Sequence, residues 1–366
     1  MLTETDRKMG AVITRLIQKQ NLTRNQAREA LTAIVNDQVT AMHQGAFLAA
    51  LAAKGETADE VAGTWEAIFH LDTTKVDLDT DMPLVENSGT GMDTFKTFNI
   101  STAASLIAAA GGIPMARHGA RAITSACGTV DMAESLGVDV ECSADLVAGS
   151  IRSSGIGLFN GMSPAIHPRA LGRILSQICF GSTLNIAASL ANPALPRIGV
   201  RGVYSRAMIL PVVQVMKAVG YERALVLHGE IDDSDKGMDE ASVSGTTWCA
   251  ELDRNGSVRE YTLTPGQLGL DRHDAAHLAP APDRATESRR FVRLIQGRES
   301  GARSQSAVLN AGLIYYVSGR SDTIESGIQA AWKTLKQGGA FSALESWVKS
   351  QNRDPETGLK TLAQLT

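Results

Sequence analysis

From residue 84 onward, helical stretches alternate with short apolar segments that are flanked by glycine. This alternation restricts the fold more than any other feature of the chain. Five of the apolar segments are predicted strands: 113–116, 155–159, 199–200, 224–228 and 245–248. Strands separated by helices indicate a mainly parallel central sheet with helices on its faces. Ligands of such sheets bind in the loops that follow the carboxyl ends of the strands.

The amino-terminal segment is a succession of short amphipathic helices. Thr23 with Gln26 and Thr57 with Glu60 have the spacing of a capping box, which begins a helix. We therefore predict an α/β fold with two parts. A small all-helical domain covers 1–80 and is joined by helices from about 164–193, and a larger α/β domain covers 81–163 and 194–366.

Composition excludes several classes of protein. The formal net charge of −4 gives no global field that would attract nucleic acid or an acidic membrane. No apolar run reaches the roughly 20 residues that span a bilayer, and the polar segment 1–10 is no signal peptide. The four cysteines form no Cys-x-x-Cys pair, so we predict buried free thiols. We expect a cytoplasmic protein without a membrane partner.

The segment 87–102 offers backbone N–H groups and hydroxyls just before an apolar helix predicted over 103–110. Gly89 and Gly91 permit backbone angles closed to other residues and let an oxyanion approach. Such a segment at a helix N-terminus favours a phosphate or pyrophosphate. The simpler alternative is a glycine turn with an ordinary N-cap at Ser101. The candidate binding residues here are Gly89, Thr90, Gly91, Asp93, Lys96, Thr97, Asn99, Ser101 and Thr102.

A basic cluster directly follows the predicted strand 113–116. Two guanidiniums and an imidazole at a strand end form an anion clamp, because arginine binds phosphate in a forked geometry. The alternatives are a solvated basic turn and a structural histidine. The candidate residues are Arg117, His118, Gly119 and Arg121.

A second turn of small and hydroxyl residues spans 124–131 and precedes a helix that ends at Gly137. It offers another helix N-terminus for an anion. The alternative gives Asp131 the role of a helix cap. The candidate binding residues are Ser125, Cys127, Gly128 and Thr129.

Asp239 and Glu240 are adjacent carboxylates that suit a hard cation. Mg²⁺ keeps several waters and joins one or two carboxylates to substrate phosphates. A solvated acidic loop is the alternative, because Asp232, Asp233 and Asp235 crowd the same stretch. His273 and His277 are interpreted as surface residues and not as metal ligands.

In this order the motifs resemble those of the anthranilate phosphoribosyltransferase family. That family carries Gly-Thr-Gly-Gly-Asp, Asn-x-Ser-Thr, Lys-His-Gly-Asn-Arg, Ser-Gly-Ser-Ala-Asp and a late Asp-Glu pair. The counterparts here are Gly-Thr-Gly-Met-Asp at 89–93, Asn-Ile-Ser-Thr at 99–102, Arg-His-Gly-Ala-Arg at 117–121, Cys-Gly-Thr-Val-Asp at 127–131 and Asp-Glu at 239–240. The similarity spans nearly the whole chain, which is identified as a divergent member.

The resemblance implies a homodimer formed through the helical domain, with the active cleft between the two domains. It implies transfer of the phosphoribosyl group of phosphoribosyl pyrophosphate (PRPP) to a small aromatic amine, by default anthranilate, with Mg²⁺. The loop 89–102 would hold the donor, Arg117 would contact the pyrophosphate, and Ser101, Asp239 and Glu240 would bind the metal. No side chain acts as a nucleophile, since positioning and charge stabilisation suffice to release pyrophosphate.

Three departures from the family pattern concern the substrates. Met92 replaces the second glycine of the donor loop, and Ala120 replaces an asparagine that in the family faces the acceptor. The family also places an arginine after its His-Pro step to receive the carboxylate of anthranilate. Here Arg169 and Arg173 follow His167 without matching that position, and Arg173 is our candidate for contact with the acceptor.

Two other functions stay open at the level of the sequence. Nucleoside and AMP phosphorylases of the same superfamily carry a lysine that matches Lys96, but they have a further carboxyl-terminal domain. Some relatives bind nucleic acid without catalysis, which the net charge of −4 disfavours.

Overall fold

Four helices open the chain in the computed structural model, which describes residues 2–121 and 127–366. They are α1 (Glu4–Ile17), α2 (Arg24–Val35), α3 (Ala41–Lys54) and α4 (Ala58–Leu71). The capping boxes at Thr23 and Thr57 are confirmed, because each hydroxyl accepts the backbone N–H three residues later. The apolar stripes of these helices form a common core around Leu31, Phe47 and Ile68.

One sheet of eight strands forms the centre of the molecule. The strands are β1 (Val85–Ser88), β2 (Met115–Gly119), β3 (Ile156–Asn160), β4 (Ile198–Gly202), β5 (Arg223–Glu230), β6 (Gly237–Met238), β7 (Thr247–Leu252) and β8 (Val258–Leu263). Their order is β3-β2-β1-β4-β5-β7-β8, with β6 on β5. The first five are parallel, whereas β6, β7 and β8 are antiparallel to their neighbours. The predicted mainly parallel sheet is confirmed.

Eleven further helices follow in the described residues. They are α5 (Ile100–Ala110), α6 (Thr129–Ser135), α7 (Ala144–Ser154), α8 (Leu171–Leu175), α9 (Leu184–Ala187), α10 (Ile209–Ala218), α11 (Arg284–Ile295), α12 (Ala302–Val317), α13 (Ile324–Lys336), α14 (Gly339–Ser350) and α15 (Pro355–Ala363). Successive residues of each strand point to opposite faces of the sheet, and each face packs against its own hydrophobic core. Leu225 and Leu227 of β5 join the core built with α5 and α12, whereas Ala224 and Val226 join the core shared with α10 and the amino-terminal helices.

The excursion 164–193 packs with the amino-terminal helices. Leu171 and Ile174 of α8 and Leu184 and Ile186 of α9 belong to the same buried cluster as α1–α4. This packing supports the division that we propose, with 1–80 and about 164–193 in the helical domain, and 81–163 and 194–366 in the α/β domain. The excursion contains only the short helices α8 and α9.

Two expectations need correction. Where two helices were predicted over 304–348 the chain forms three, α12 to α14, because Gly319 (φ 78°) and Gly338 (φ 75°) turn the backbone between them, and α15 follows beyond that range. All four cysteines are free, but only Cys142 and Cys249 are buried, and Cys179 is exposed. Among the described residues, no helix is both long enough and apolar enough to cross a membrane.

Candidate functional site

The loop between β1 and α5 is docked against Asp239, so the structure brings together two motifs that are distant in sequence. Oδ2 of Asp239 accepts the backbone N–H of Gly91 at 2.7 Å and the hydroxyl of Thr90 at 3.4 Å. A Cβ on Gly89 would lie 2.4 Å from the same oxygen, so a larger residue there would displace the carboxylate of Asp239. Gly91 has a φ of 69°, which favours glycine for a second reason.

Glu240 lies beneath the loop and has one oxygen without a partner. Ser101 Oγ donates to Glu240 Oε1 at 3.0 Å, while the buried Oε2 accepts no hydrogen bond from the described residues. Burial, together with the charges of Asp239 and Asp93, raises the pKa of Glu240 well above its usual range. The three carboxylates Asp93, Asp239 and Glu240 therefore carry more negative charge than the neighbouring cations and hydrogen-bond donors of the protein balance.

Asp93 is the third carboxylate of this group. Burial and the charge of Asp239 raise its pKa to about 6, although Lys96 Nζ lies 3.0 Å from Asp93 Oδ1 and opposes the rise. Lys96 also donates to the carbonyl of Gly91 at 3.3 Å, so its ammonium group spans the loop.

The carboxylate group fits a divalent cation. A cation near Glu240 Oε2 would satisfy the orphaned oxygen and relieve the repulsion between three acids. Across 2–121 and 127–366, no three His, Cys, Asp or Glu side chains form a ready-made metal cage. Mg²⁺ takes few protein ligands and completes its shell with water and phosphate oxygens.

Arg117 is held below the loop and does not lie open at its surface. The residue is 2% exposed. Its Nη1 donates to Thr102 Oγ1 at 2.8 Å, and its Nε donates to the carbonyl of Asn87 at 3.4 Å. Burial lowers the pKa of Arg117 to about 10, so the group remains a cation. Thr102, in the first turn of α5, is fully buried and accepts from Arg117, so its hydroxyl supports Arg117 and is not open to a ligand.

His118 is paired with His167 inside the protein. The two Nε2 atoms lie 3.2 Å apart, and the Nδ1 atoms lie against the carbonyls of Ser189 and Asp72. Burial and His167 lower the pKa of His118 to about 3, so its imidazole is neutral at pH 7. The arrangement resembles the structural alternative more than an open anion clamp.

Arg121 is engaged by acids. Its guanidinium donates twice to Glu134, at 2.8 and 3.1 Å, and once to Glu141 at 3.0 Å, with Asp131 at 3.4 Å. Asp131 also accepts the N–H of Gly128 at 2.9 Å, which is the capping role described above for α6. Much of the positive charge of Arg121 is therefore neutralised within the protein.

The second small-residue turn is joined to the donor loop. Asn99 Nδ2 donates to the carbonyl of Cys127 at 3.3 Å. Gly128 and Thr129 begin α6, and Thr129 lies beside Gly119 at the end of β2. Ser125 lies outside the described residues.

Arg173 is not brought to this site. Its Nη1 donates to Gln44 at 2.8 Å and lies 3.4 Å from Asp37, while its Nη2 donates to the carbonyl of Ile34 at 3.1 Å. The guanidinium thus links α8 to the amino-terminal helices, and these contacts do not support its predicted role in acceptor binding.

Met92 reaches from the donor loop toward the helical excursion. It is 39% exposed. Its methyl group lies beside Gly181: a Cβ added to Gly181 would be 3.2 Å from the methyl carbon of Met92. Its backbone is not in the left-handed region, so the loop accommodates this residue without glycine's conformational freedom.

Two other predicted or replaced residues differ in exposure. Thr97 is half-buried, and Ala120 is exposed just after β2.

Sequence reasoning missed two buried charged residues next to the loop, Glu86 and Arg201. Arg201 is 1% exposed, donates from Nη1 to Ser88 Oγ at 2.7 Å and from Nη2 to Ser189 Oγ, and leaves Nε without a partner in the described residues. Glu86 accepts from Tyr221 at 2.5 Å, and burial raises its pKa. The available signal was Arg201, a charged residue inside the apolar segment that becomes β4, whereas β1 has a single apolar residue and gave no such signal.

The sequence matches two family models. Residues 81–341 match the a/b domain of a glycosyl transferase family, and residues 11–70 match the helical bundle domain of a glycosyl transferase family. The anthranilate phosphoribosyltransferase of Natronomonas pharaonis is 34% identical over 341 residues, which are 92% of this chain and 98% of that protein.

Solved structures agree on the fold. The anthranilate phosphoribosyltransferase from Thermus thermophilus has a TM-score of 0.83 and 29% identity, and the match covers 93% of this chain and 99% of that one. The enzyme of the same name from Saccharomyces cerevisiae, solved in complex with PRPP and Mg, has a TM-score of 0.82 at 20% identity and covers 94% and 98%. The names of these relatives agree with the transferase expectation and not with the phosphorylase alternative. The chain therefore belongs to the anthranilate phosphoribosyltransferase family of glycosyl transferases.

Proposed function

We propose that this protein transfers the phosphoribosyl group of PRPP to an aromatic amine and releases pyrophosphate with Mg²⁺. The observation that carries the proposal is the glycine loop 89–93 docked on Asp239, with the orphaned Glu240 Oε2 beneath it. Family membership makes the protein a pentosyltransferase, and the similar proteins from N. pharaonis and T. thermophilus bear the name of this activity.

The donor would be held by the loop and by the first turn of α5. Backbone N–H groups of the loop 89–93 other than that of Gly91, together with the side chains of Lys96 and Asn99, would receive phosphate oxygens. Ser101, Asp239 and Glu240 would hold Mg²⁺, which would offset the charge of the departing pyrophosphate. Arg117 would act from below the loop, as a buried positive charge.

The chemistry requires no covalent intermediate. Pyrophosphate leaves with several negative charges, so cations and oriented N–H groups ease its departure. The remaining task is to hold the amine behind the ribosyl carbon as positive charge develops there. Accordingly, we assign no nucleophile among the residues of the site.

Anthranilate is the default acceptor, with another aromatic or heteroaromatic amine as the second candidate. The yeast relative was also solved with 4-fluoroanthranilate. Two features support a changed acceptor pocket: Ala120 offers no amide group, and Arg173 is committed to Gln44 and the carbonyl of Ile34.

Calorimetry with PRPP, with and without Mg²⁺, tests the donor half of the proposal. We expect binding that requires the metal, followed by pyrophosphate release when a suitable amine is supplied. An assay of anthranilate beside a panel of related amines would identify the acceptor. Absence of PRPP binding at millimolar concentrations would overturn the proposal.

Met92 provides a second test of the donor site. If its side chain obstructs pyrophosphate binding, Met92→Gly should tighten PRPP binding. Leu210→Gly, at an exposed leucine of α10, is the control for lost side-chain volume. Weaker PRPP binding in Met92→Gly would instead make Met92 part of an adapted site.

We further propose a cytoplasmic homodimer that associates through the helical domain. Three of the six large apolar side chains exposed in the described residues lie in its first 42 residues: Leu2, Ile17 and Met42, which are 57%, 67% and 80% exposed. Free cysteines are consistent with a reducing compartment.

A further inference from the structure

A basic cavity lies where the segment 273–282 meets the ends of α11 and α12. It adjoins Phe98 of the segment 87–102, whose N–H donates to the carbonyl of Leu278 at 2.9 Å and whose ring lies 4.0 Å from the guanidinium of Arg303. Its volume is about 790 Å³, within the size range of small-molecule sites. Four arginines and a single carboxylate line it: Arg290, Arg293, Arg298, Arg303 and Glu299. The excess of guanidiniums makes it a place of positive potential.

Arg303 is the buried member of this set. It is 5% exposed, and its Nη2 donates to Glu287 Oε1 at 2.5 Å. Its Nε and Nη1 are buried and donate no hydrogen bond to the described residues, and Glu299 Oε2 lies 3.7 Å from Nε. Unused donors on a buried cation are costly, and a ligand anion in the cavity that Arg303 lines would satisfy them.

The amino terminus of α12 contributes to the same cavity. Gly301 precedes this 16-residue helix with a φ of 89° and no side-chain cap, and both Gly301 and Ala302 line the cavity. The N-terminus of a helix carries partial positive charge and free N–H groups, which favour an anion.

The three remaining arginines are available for a ligand. Their side chains make no hydrogen bond or ion pair with any described residue, in contrast to Arg121, which acids engage. His273 also lines the cavity, and its Nε2 is buried without a hydrogen-bond partner among the described residues. This residue was expected at the surface, but it is half-buried.

We propose that this cavity binds a small metabolite that carries two or more phosphate groups, at a site that Asp93, Asp239 and Glu240 do not line. Guanidinium forks match phosphate oxygens, and several arginines are better matched by a polyvalent anion than by a single carboxylate. A cavity of this volume suits a small molecule, whereas a nucleic-acid strand requires a continuous groove.

Titration with inorganic tripolyphosphate in EDTA tests the proposal, because the metal-dependent donor site is then disabled. The variant is Arg290→Gln with Arg298→Gln, since Arg303→Gln would leave Glu287 buried without its partner. We expect the double variant to bind tripolyphosphate about tenfold or more weakly than the wild type. Arg289→Gln, on the same helix but outside the cavity lining, is the matched control.

Steady-state kinetics with PRPP distinguish this site from the proposed active site. An unchanged KM for PRPP in the double variant, together with its loss of tripolyphosphate binding, supports a separate site. Equal tripolyphosphate affinity in the double variant and the control would overturn the inference. So would a parallel rise of the KM, or binding of a single-stranded oligonucleotide in place of tripolyphosphate.

Discussion

The two oxygens of Glu240 have unequal surroundings, and this inequality predicts how the residue responds to substitution. Oε1 accepts from Ser101, and Oε2 has no partner among the described residues. Glu240→Gln should leave the protein folded, because glutamine has the same size and keeps an oxygen that can accept from Ser101, but should raise the Mg²⁺ concentration for half-maximal PRPP binding about tenfold or more. A magnesium profile equal to that of the control Glu345→Gln, at an exposed acid, would refute the metal role.

Asp93 predicts a pH dependence of stability without metal. Its pKa rises from 3.8 to about 6 in the folded protein, so the folded state binds this proton more tightly than the unfolded state. The free energy of unfolding should therefore fall as pH rises from about 4 to about 6. Urea unfolding across this range should show a smaller fall in Asp93→Asn than in Asp79→Asn, an exposed control. Identical pH profiles for the two variants would contradict the assignment.

At the scale of elements, the end of β4 sets the position of the acidic pair. A Cβ on Gly202 would lie 1.5 Å from the carbonyl oxygen of Asp239, so the two backbones touch. Gly202→Ala should force them apart and lower the free energy of unfolding by about 1–3 kcal/mol, with weaker Mg²⁺-dependent PRPP binding. The measurements are urea unfolding and calorimetry.

Gly149 of α7 offers the matched control for that substitution. A Cβ there meets no atom within 4 Å, so Gly149→Ala should be neutral or slightly stabilising. If both alanine variants unfold at the same urea concentration, close packing at Gly202 does not position the acidic pair.

At the scale of the whole molecule, the helical domain presents the apolar surface that we assign to the dimer. Ile17→Glu with Met42→Glu should convert the dimer to a monomer, because each change places a charge at an apolar contact. Sedimentation analysis measures the mass. Leu210→Glu, at an exposed leucine of α10, should remain a dimer. A wild-type monomer, or a double variant that stays dimeric, would contradict the proposal.

Local signals predicted the elements well where one short segment decides them. The capping boxes at Thr23 and Thr57 fix helix starts because the partners lie three residues apart. β1 was missed, since Glu86 and Asn87 interrupt its apolar pattern. Their partners, Tyr221 for Glu86 and Ser101 for Asn87, are supplied by distant parts of the chain. The apolar pattern of the four residues of β1 cannot show that distant side chains and carbonyls satisfy its buried polar groups.

The sequence by itself determined the class of fold, the family and the glycine loop, because alternating periodicity and ordered motifs are properties of the linear chain. Only the tertiary structure decided which charges are available. Arg117, Arg121 and Arg173 all had the chemistry of an anion ligand, but their surroundings differ: the first is buried under the loop, and the other two are occupied by protein groups. The partners of a side chain depend on contacts between distant segments, and those contacts form only when the whole chain packs.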